Sequence, residues 1–184
     1  MSRKARPAFP GTEAHADIEA MIRVDHAGEY GAIRIYEGQL AVLGATKSDA
    51  VDAIRHMAEQ EKRHLASFDE LINKRRVRPT ALEPLWRVAG FALGAATALM
   101  GEKAAMACTA AVEDVIDEHY AAQVARLGES DRELRETVEA FRREEVQHRD
   151  TAIEHGAEQT PGYRLLSAAI KAGCRVAIRI SERM

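Results

Sequence analysis

Residues that favour β-strands are scarce in this chain of 184 residues. Aromatic residues make up 5% of it, whereas alanine, glutamate, arginine and leucine dominate. This composition is typical of helical proteins, because β-sheets are built mainly from β-branched and aromatic side chains. We therefore expect an all-α fold, and the length fits one domain with an apolar core.

The chain also lacks a strong charge imbalance and a cysteine framework. Its formal net charge is −3, which gives no reason to expect nucleic-acid binding or an acidic tail. The two cysteines, Cys108 and Cys174, are isolated and form no CxxC pair. Such cysteine usage fits a reducing, cytosol-like compartment better than a disulfide-stabilised secreted protein.

The sequence also predicts neither a membrane-spanning helix nor a signal peptide. The longest uncharged run, residues 88–101, has 14 residues, whereas a membrane-spanning helix needs about 18 or more apolar residues. Residues 1–11 are basic and contain proline but no apolar centre, unlike a signal peptide. We expect residues 1–11 to be a disordered basic tail and residues 12–184 to form a single domain.

Hydrophobic periodicity and helix-breaking residues together predict five helices. They cover residues 12–43, 48–74, 80–127, 130–160 and 163–183. The last helix is amphipathic, and its basic residues recur at every fourth position: Lys171, Arg175, Arg179 and Arg183.

One short motif, Glu-x-x-His, occurs twice in equivalent surroundings. Each copy follows a lone glutamate by 32 positions, and the second set is the first one shifted by 84. The two sets are Glu29, Glu61 and His64, and Glu113, Glu145 and His148. Residues three apart on a helix lie one turn apart on the same face, so both side chains of a motif can bind one metal ion. The pattern predicts two helical hairpins, each supplying one glutamate and one Glu-x-x-His.

All four glutamates fall on helix faces that the periodicity assigns to the core. Buried carboxylates repel one another and are costly unless a cation lies between them. Two divalent cations would balance four carboxylates, and two neutral imidazoles would complete the ligand set. Carboxylate-rich sites of this kind are known from ferritin-like bundles that hold two iron or manganese ions. The ligand types alone leave the choice between these metals open.

Further residues on the same faces allow two interpretations each. Tyr36 and Tyr120 each follow a predicted ligand glutamate by seven positions. They are either core tyrosines, or residues that donate a hydrogen bond near the metals or line a substrate pocket. His26 lies one turn before the first glutamate, and we expect it to support a ligand or fill the core rather than act as a seventh ligand. Gly28 and Gly31 flank that glutamate, which indicates the close approach of a substrate or of a neighbouring helix.

The uncharged run could face lipid, fill the bundle core or lie in a dimer interface. A tryptophan near its start and the basic last helix favour a protein that lies on a bilayer. The residues predicted to face the membrane are Trp86, Phe91, Leu93, Leu99 and Met100.

Longer motifs resemble the demethoxyubiquinone hydroxylase family of ubiquinone biosynthesis. They are RVDHAGEYGA at 23–32, QEKRH at 60–64, ACT at 107–109, HY at 119–120, EE at 144–145 followed by His148, and IKAGCR at 170–175. The resemblance covers nearly all of the chain from about residue 22 onward.

This resemblance implies a ferritin-like four-helix bundle with an additional C-terminal amphipathic helix. It implies a di-iron monooxygenase that hydroxylates the ring of demethoxyubiquinol with O2. Glu29 and Glu113 would be terminal ligands, Glu61 and Glu145 would bridge the two irons, and His64 and His148 would each bind one iron. His119 and Tyr120 match a pair thought to help reduce the irons or to position the quinone.

The resemblance also implies the surroundings of the enzyme. An external reductant such as NADH would supply electrons, and the substrate would be a quinone with an isoprenoid tail. The protein would be peripheral on the cytoplasmic face of a bacterial inner membrane, or on the matrix face if it is a mature mitochondrial form. Partners would be a second copy of the chain or other proteins of ubiquinone biosynthesis.

Other functions remain open on the ligand spacing alone. A ferritin-like ferroxidase or iron store, with no organic substrate, could use the same ligands. A structural helical adaptor with fortuitous Glu/His spacing is a third interpretation. A di-manganese catalase fits the ligands but not the longer motifs, and a rubrerythrin-type peroxidase would need a CxxC iron site that this sequence lacks.

Overall fold

A computed structural model describes residues 12–183, with side chains described from residue 17 onward. The predicted tail at residues 1–11 lies outside this range. Within the described residues there are six α-helices, one short 3-10 turn and no strand, which confirms the all-α prediction. The helices are α1 (Thr12–Leu43), α2 (Asp49–Arg75), α3 (Glu83–Leu99), α4 (Glu102–Leu127), α5 (Arg132–Glu154) and α6 (Tyr163–Ser181).

Helices α1, α2, α4 and α5 form the predicted ferritin-like bundle. Helix α1 packs against α2, and α4 packs against α5, so the two predicted hairpins are present. Helix α3 connects the hairpins and lies along α1, while α6 packs against α4. The additional C-terminal helix is therefore confirmed, and α3 is a second helix outside the bundle.

The apolar core of the bundle is divided into layers. One cluster includes Tyr36, Ile54, Met57, Met106 and Ala152, and another includes Ile22, Phe68, Tyr120, Leu134 and Val138. Along each of the four bundle helices, a predicted ligand glutamate lies in sequence between a residue of one cluster and a residue of the other. The four carboxylates thus form a polar layer between two apolar ones.

The prediction of one helix over residues 80–127 is wrong. The chain breaks at Gly101, whose φ of 110° lies in the region that favours glycine, and α4 begins directly after it. Helix α3 begins at Glu83, and its cap residue Leu82 makes no side-chain capping bond. The break separates the helix that lies along α1 from the one that enters the bundle. Because Gly101 ends an apolar run, periodicity alone did not mark it as a stop.

Helices α1 and α3 approach each other closely at three glycines, one of which is Gly90, where a Cβ atom would lie 2.9 Å from the carbonyl oxygen of Gly31. A Cβ atom at Gly94 would overlap the carbonyl oxygen of Ile35, and one at Gly38 would overlap that of Phe91. No larger residue fits at either position without moving the two helices apart.

Large exposed apolar residues occur mainly on α3 and α6. On these helices they are Leu85, Val88, Leu99, Leu165, Val176 and Ile180, with Met100 directly after α3. Of the residues predicted to face a membrane, Leu99 is 76% exposed and Met100 is 61% exposed. Trp86, Phe91 and Leu93 are half-buried instead. None of the helices in the described part of the chain could span a bilayer.

The half-buried residues of this set turn toward neighbouring helices. The indole Nε1 of Trp86 donates a hydrogen bond to Ser181 Oγ at 3.2 Å. The guanidinium of Arg34 lies over the ring of Phe91, 5.2 Å from its centre. These contacts direct the two aromatic side chains to α6 and α1, whereas Leu99 and Met100 remain at the surface.

Two residues of the basic stripe on α6 form ion pairs with α4. Lys171 forms an ion pair with Asp114, and Arg175 pairs with Glu118 at 2.9 Å. Both acidic partners lie on α4, so these two cations hold α6 against the bundle. Arg175 stays exposed despite its ion pair, and Arg179 and Arg183 are exposed as well.

Candidate metal centre

The structure brings all six predicted metal ligands together in the middle of the bundle. Helix α1 supplies Glu29, α2 supplies Glu61 and His64, α4 supplies Glu113, and α5 supplies Glu145 and His148. Each of these residues is at most 2% exposed. They form two groups of four, and within each group one candidate ligand atom per residue lies within 4.8 Å of the others. Glu61 and Glu145 belong to both groups, Glu29 to the group of His64, and Glu113 to the group of His148.

The two shared carboxylates each direct one oxygen toward each histidine. Glu145 Oε1 lies 3.0 Å from His64 Nδ1, and Glu145 Oε2 lies 3.2 Å from His148 Nδ1. Glu61 does the same, with Oε1 at 3.0 Å from His148 Nδ1 and Oε2 at 3.7 Å from His64 Nδ1. This is the arrangement that carboxylates bridging two ions would need.

Several buried polar atoms of the cluster lack hydrogen bonds, which supports metal ions as their binding partners. Nδ1 of both histidines, both oxygens of Glu61 and of Glu145, and one oxygen each of Glu29 and Glu113 are buried without a hydrogen-bond partner. Neighbouring ligands on one ion, each about 2.1 Å from it, are separated by about 3 Å. The atoms thus have the spacing of ligands directed at a common centre, and an unpaired buried carboxylate otherwise carries a large cost.

Burial and neighbouring carboxylates raise the pKa values of Glu29 and Glu113, and neighbouring carboxylates raise that of His148. Burial, together with the nearby Glu61, raises the pKa of Glu29 to about 7. Burial and the neighbouring Glu145 raise the pKa of Glu113 well above its usual value. Burial alone would lower the pKa of His148, but the contacts with Glu145 and Glu61 outweigh it and raise that pKa to about 9. The metal-free cluster therefore holds protons that incoming cations would displace.

The two tyrosines of the 84-residue repeat hold the terminal carboxylates crosswise. Tyr36 on α1 donates a hydrogen bond to Glu113 Oε1 on α4 at 2.9 Å. Tyr120 on α4 donates one to Glu29 Oε1 on α1. Each hairpin thus orients a candidate ligand of the other.

Two residues at the outer side of the histidines were given no role from the sequence. Gln60 Oε1 lies 3.2 Å from His148 Nε2, and Glu144 Oε2 lies 3.3 Å from His64 Nε2. The signal that could have identified them is their position, since each directly precedes the glutamate of a Glu-x-x-His motif.

A second polar cluster adjoins the site on the side of Glu29. The buried Asp25 accepts a hydrogen bond from Gln123 at 2.7 Å and lies 3.2 Å from His119 Nε2. The ring of His119 lies 6.1 Å from that of Tyr120. Sequence reasoning identified His119 and Tyr120 but missed Asp25 and Gln123.

The hydrogen bond of His26 goes to a residue outside the cluster. Its Nε2 lies 3.0 Å from Asp69 Oδ1 on α2. His26 therefore links α1 to α2, and no hydrogen bond joins it to a glutamate of the cluster in the described residues.

An apolar cavity of about 500 Å³ lies beside the site, between α1, α3, α4 and α6. Trp86 and Leu93 line it, which is a further reason why these two predicted membrane residues are not at the surface. Gly28 also lines it, next to Glu29, and Val112 lines it next to Glu113. A Cβ atom at Gly28 or Gly31 would meet nothing within 4 Å, so these glycines widen the cavity and do not serve helix packing.

Comparisons with known proteins show which family this chain resembles. The family model described as "Ubiquinone biosynthesis protein COQ7" matches residues 16–181. The 3-demethoxyubiquinol 3-hydroxylase of Rhodospirillum rubrum is 55% identical over 183 residues, which cover 99% of this chain and 86% of that protein. The human NADPH-dependent 3-demethoxyubiquinone 3-hydroxylase, mitochondrial, is 53% identical over 175 residues, covering 93% of this chain and 80% of that protein.

A more distant relative gives the same result. The 5-demethoxyubiquinone hydroxylase, mitochondrial, of Saccharomyces cerevisiae is 41% identical over 184 residues, covering 92% of this chain and 79% of that protein. The resemblance seen in the motifs is thereby confirmed, and the chain belongs to the ubiquinone biosynthesis protein COQ7 family.

Proposed function

We propose that this chain is a monooxygenase that hydroxylates the ring of demethoxyubiquinol with O2 in ubiquinone biosynthesis, using two iron ions. The names of its bacterial, human and yeast relatives support the hydroxylation and the substrate. One observation carries the proposal beyond those names: two buried ligand groups share Glu61 and Glu145 beside an apolar cavity.

Six residues would hold the two ions. His64 and Glu29 would bind one of them, His148 and Glu113 the other, and Glu61 and Glu145 would bridge both. Carboxylate oxygens with one imidazole per ion suit iron, which when bound would activate O2 with two electrons so that one oxygen atom enters the ring and the other leaves as water.

The residues of the chain would do the positioning. Tyr36 and Tyr120 hold the terminal carboxylates by hydrogen bonds. The cavity walls are almost entirely apolar, so they would exclude water and accept the apolar substrate beside Glu29 and Glu113. We propose that His119, held beside Tyr120, helps to deliver electrons or to position the quinone ring.

The apolar substrate also supports a membrane location. Each CH2 group moved from lipid into water costs about 0.8 kcal/mol, so an isoprenoid tail favours an enzyme whose cavity opens at the bilayer. Leu99, Met100 and the exposed residues of α6 would contact lipid, with the protein peripheral to an inner membrane. The reductant would be a nicotinamide, since mammalian relatives are named NADPH-dependent.

The proposal is tested by anaerobic loading with ferrous iron, followed by a short-tailed demethoxyquinol and ¹⁸O2. We expect one ¹⁸O atom in the ring of the product, detected by mass spectrometry, and two irons per chain. Iron oxidation without ring oxygenation would contradict the proposal and support the ferroxidase.

A further inference from the structure

The 84-residue repeat makes the two halves of the metal centre nearly equivalent. Each ligand of one set has a counterpart of the same residue type in the other, and Tyr36 corresponds to Tyr120. The residues that contact the outer nitrogens of the two histidines break this equivalence. Gln60 and Glu144 are 84 positions apart, but one is an amide and the other is a carboxylate.

These two residues form one connected chain of hydrogen bonds. His148 Nε2 donates to Gln60 Oε1 at 3.2 Å, and Gln60 Nε2 donates in turn to Glu144 Oε2 at 3.0 Å. His64 Nε2 donates to that same Glu144 oxygen at 3.3 Å. Since the amide oxygen and the carboxylate are both acceptors, each Nε2 carries the proton. Each Nδ1, the atom that faces the carboxylates, is then free to bind a metal ion.

Among the ion pairs of the described residues, one places a cation beside Glu144, and none involves Gln60. Arg63 Nη2 lies 3.4 Å from Glu144 Oε2, whereas the repeat counterpart of Arg63 is the neutral Gln147. The pair formed by Glu144 and Arg63 keeps the carboxylate charge beside His64. His148, by contrast, donates its hydrogen bond to a neutral amide.

We propose that the Gln60–Glu144 pair makes the two metal positions inequivalent, with the ion at His64 held more tightly than the ion at His148. A charged acceptor forms a stronger hydrogen bond than a neutral one, and it makes the imidazole a better electron donor to its metal. The difference resides in positioning residues that touch neither metal nor substrate. This inference rests on the proposed function, because it requires two ions in the centre.

The test is a titration of the metal-free protein with Co²⁺ alone. Binding is monitored by calorimetry and by the visible absorption of the bound ion. The wild type is expected to show two separate binding steps. In Glu144→Gln both outer residues are amides, and the ratio of the two dissociation constants is expected to fall about tenfold. The double variant Gln60→Glu with Glu144→Gln exchanges the two residues, and it is expected to restore the separation of the steps.

A matched control removes an exposed carboxylate from α2, directly before Gln60. Glu59→Gln loses the exposed ion pair with Lys62 but no contact with a histidine, and it is expected to keep the wild-type ratio. The inference would be overturned if the ratio of the two dissociation constants were unchanged in Glu144→Gln, or if the double variant did not restore it. Either result would leave the di-iron proposal standing. A wild type that binds fewer than two Co²⁺ ions would overturn both.

Discussion

A carboxylate buried without a cation lowers the stability of the protein that contains it, and Glu61 is fully buried between two histidines and three other carboxylates. Glu61→Gln removes one charge and one shared ligand. We expect the variant to lose iron and hydroxylase activity, while the metal-free form becomes about 3 kcal/mol less stable near pH 7, because the protonated His148 loses a charged partner at 3.0 Å. Iron analysis and chemical denaturation measure the two effects. The exposed Glu70→Gln on the same helix should change neither, and a metal-free Glu61→Gln that is more stable than the wild type near pH 7 would contradict the argument.

The two tyrosines provide a matched pair of residue-scale changes. Tyr36→Phe and Tyr120→Phe each remove one hydrogen bond to a terminal carboxylate, worth about 1.5–3 kcal/mol when the acceptor is charged. Both should weaken metal binding at least tenfold. Excess iron should restore activity in Tyr36→Phe but not in Tyr120→Phe, because Tyr120 alone lies beside His119. Equal recovery of both variants in steady-state assays would remove any role for Tyr120 beyond holding Glu29.

At the scale of elements, α3 and α6 differ from the bundle helices in their exposed apolar side chains. Leu99 and Leu165 are 76% and 79% exposed, one on each helix. Leu99→Glu with Leu165→Glu should lower binding to anionic phospholipid vesicles several-fold without changing the melting temperature, because neither side chain contributes to the core. Vesicle flotation measures this. Glu replacing the exposed Ile153 on α5 is the control, and equal loss of binding there would count against α3 and α6 as the membrane surface.

Gly31 on α1 and Gly94 on α3 have different roles, since the first leaves the cavity open and the second lets the two helices pack closely. Gly31→Leu adds a side chain where the cavity is open, so we expect a fold stabilised by about 0.5–1 kcal/mol. The KM for a long-tailed quinol should rise about tenfold or more, at about 0.8 kcal/mol per CH2 group displaced. Gly94→Ala pushes against the Ile35 carbonyl and should instead destabilise the protein by about 1–3 kcal/mol. Thermal unfolding and steady-state kinetics separate the two, and a destabilised Gly31→Leu would mean that the cavity is closed in solution.

At the scale of the whole molecule, the shifted pKa values predict how the stability of the metal-free protein depends on pH. Glu29 has a pKa of about 7 in the fold against 4.5 ordinarily, so the folded state binds more protons and loses stability as pH rises between these values. His148, raised from 6.5 to about 9, stabilises the fold below pH 6.5 and loses that contribution as pH approaches 9. Both groups lower the free energy of unfolding as the pH rises. The free energy of unfolding should therefore fall by a few kcal/mol from mildly acidic to mildly basic pH.

Urea denaturation across this pH range measures the effect. The iron-loaded protein should show a flatter profile, because the cations replace the protons. A metal-free protein whose stability rises with pH would show that the cluster carries no excess protons.

Much of this protein was determined by the sequence alone. The spacing of 32 within each set and of 84 between them placed six predicted ligands on two hairpins, since helical geometry converts fixed spacing into a common face. The same repeat indicated the two tyrosines. Low aromatic content and long periodic segments fixed the all-α class.

Only the tertiary structure decided which residues of different helices contact one another through those faces. The break at Gly101 depends on one backbone torsion at the end of an apolar run, which periodicity does not report. The crosswise bonds of Tyr36 and Tyr120, the Gln60–Glu144 pair and the inward turn of Trp86 all join residues more than 75 positions apart. Sequence spacing orders side chains along one helix, but which side chains meet across helices depends on how the helices pack.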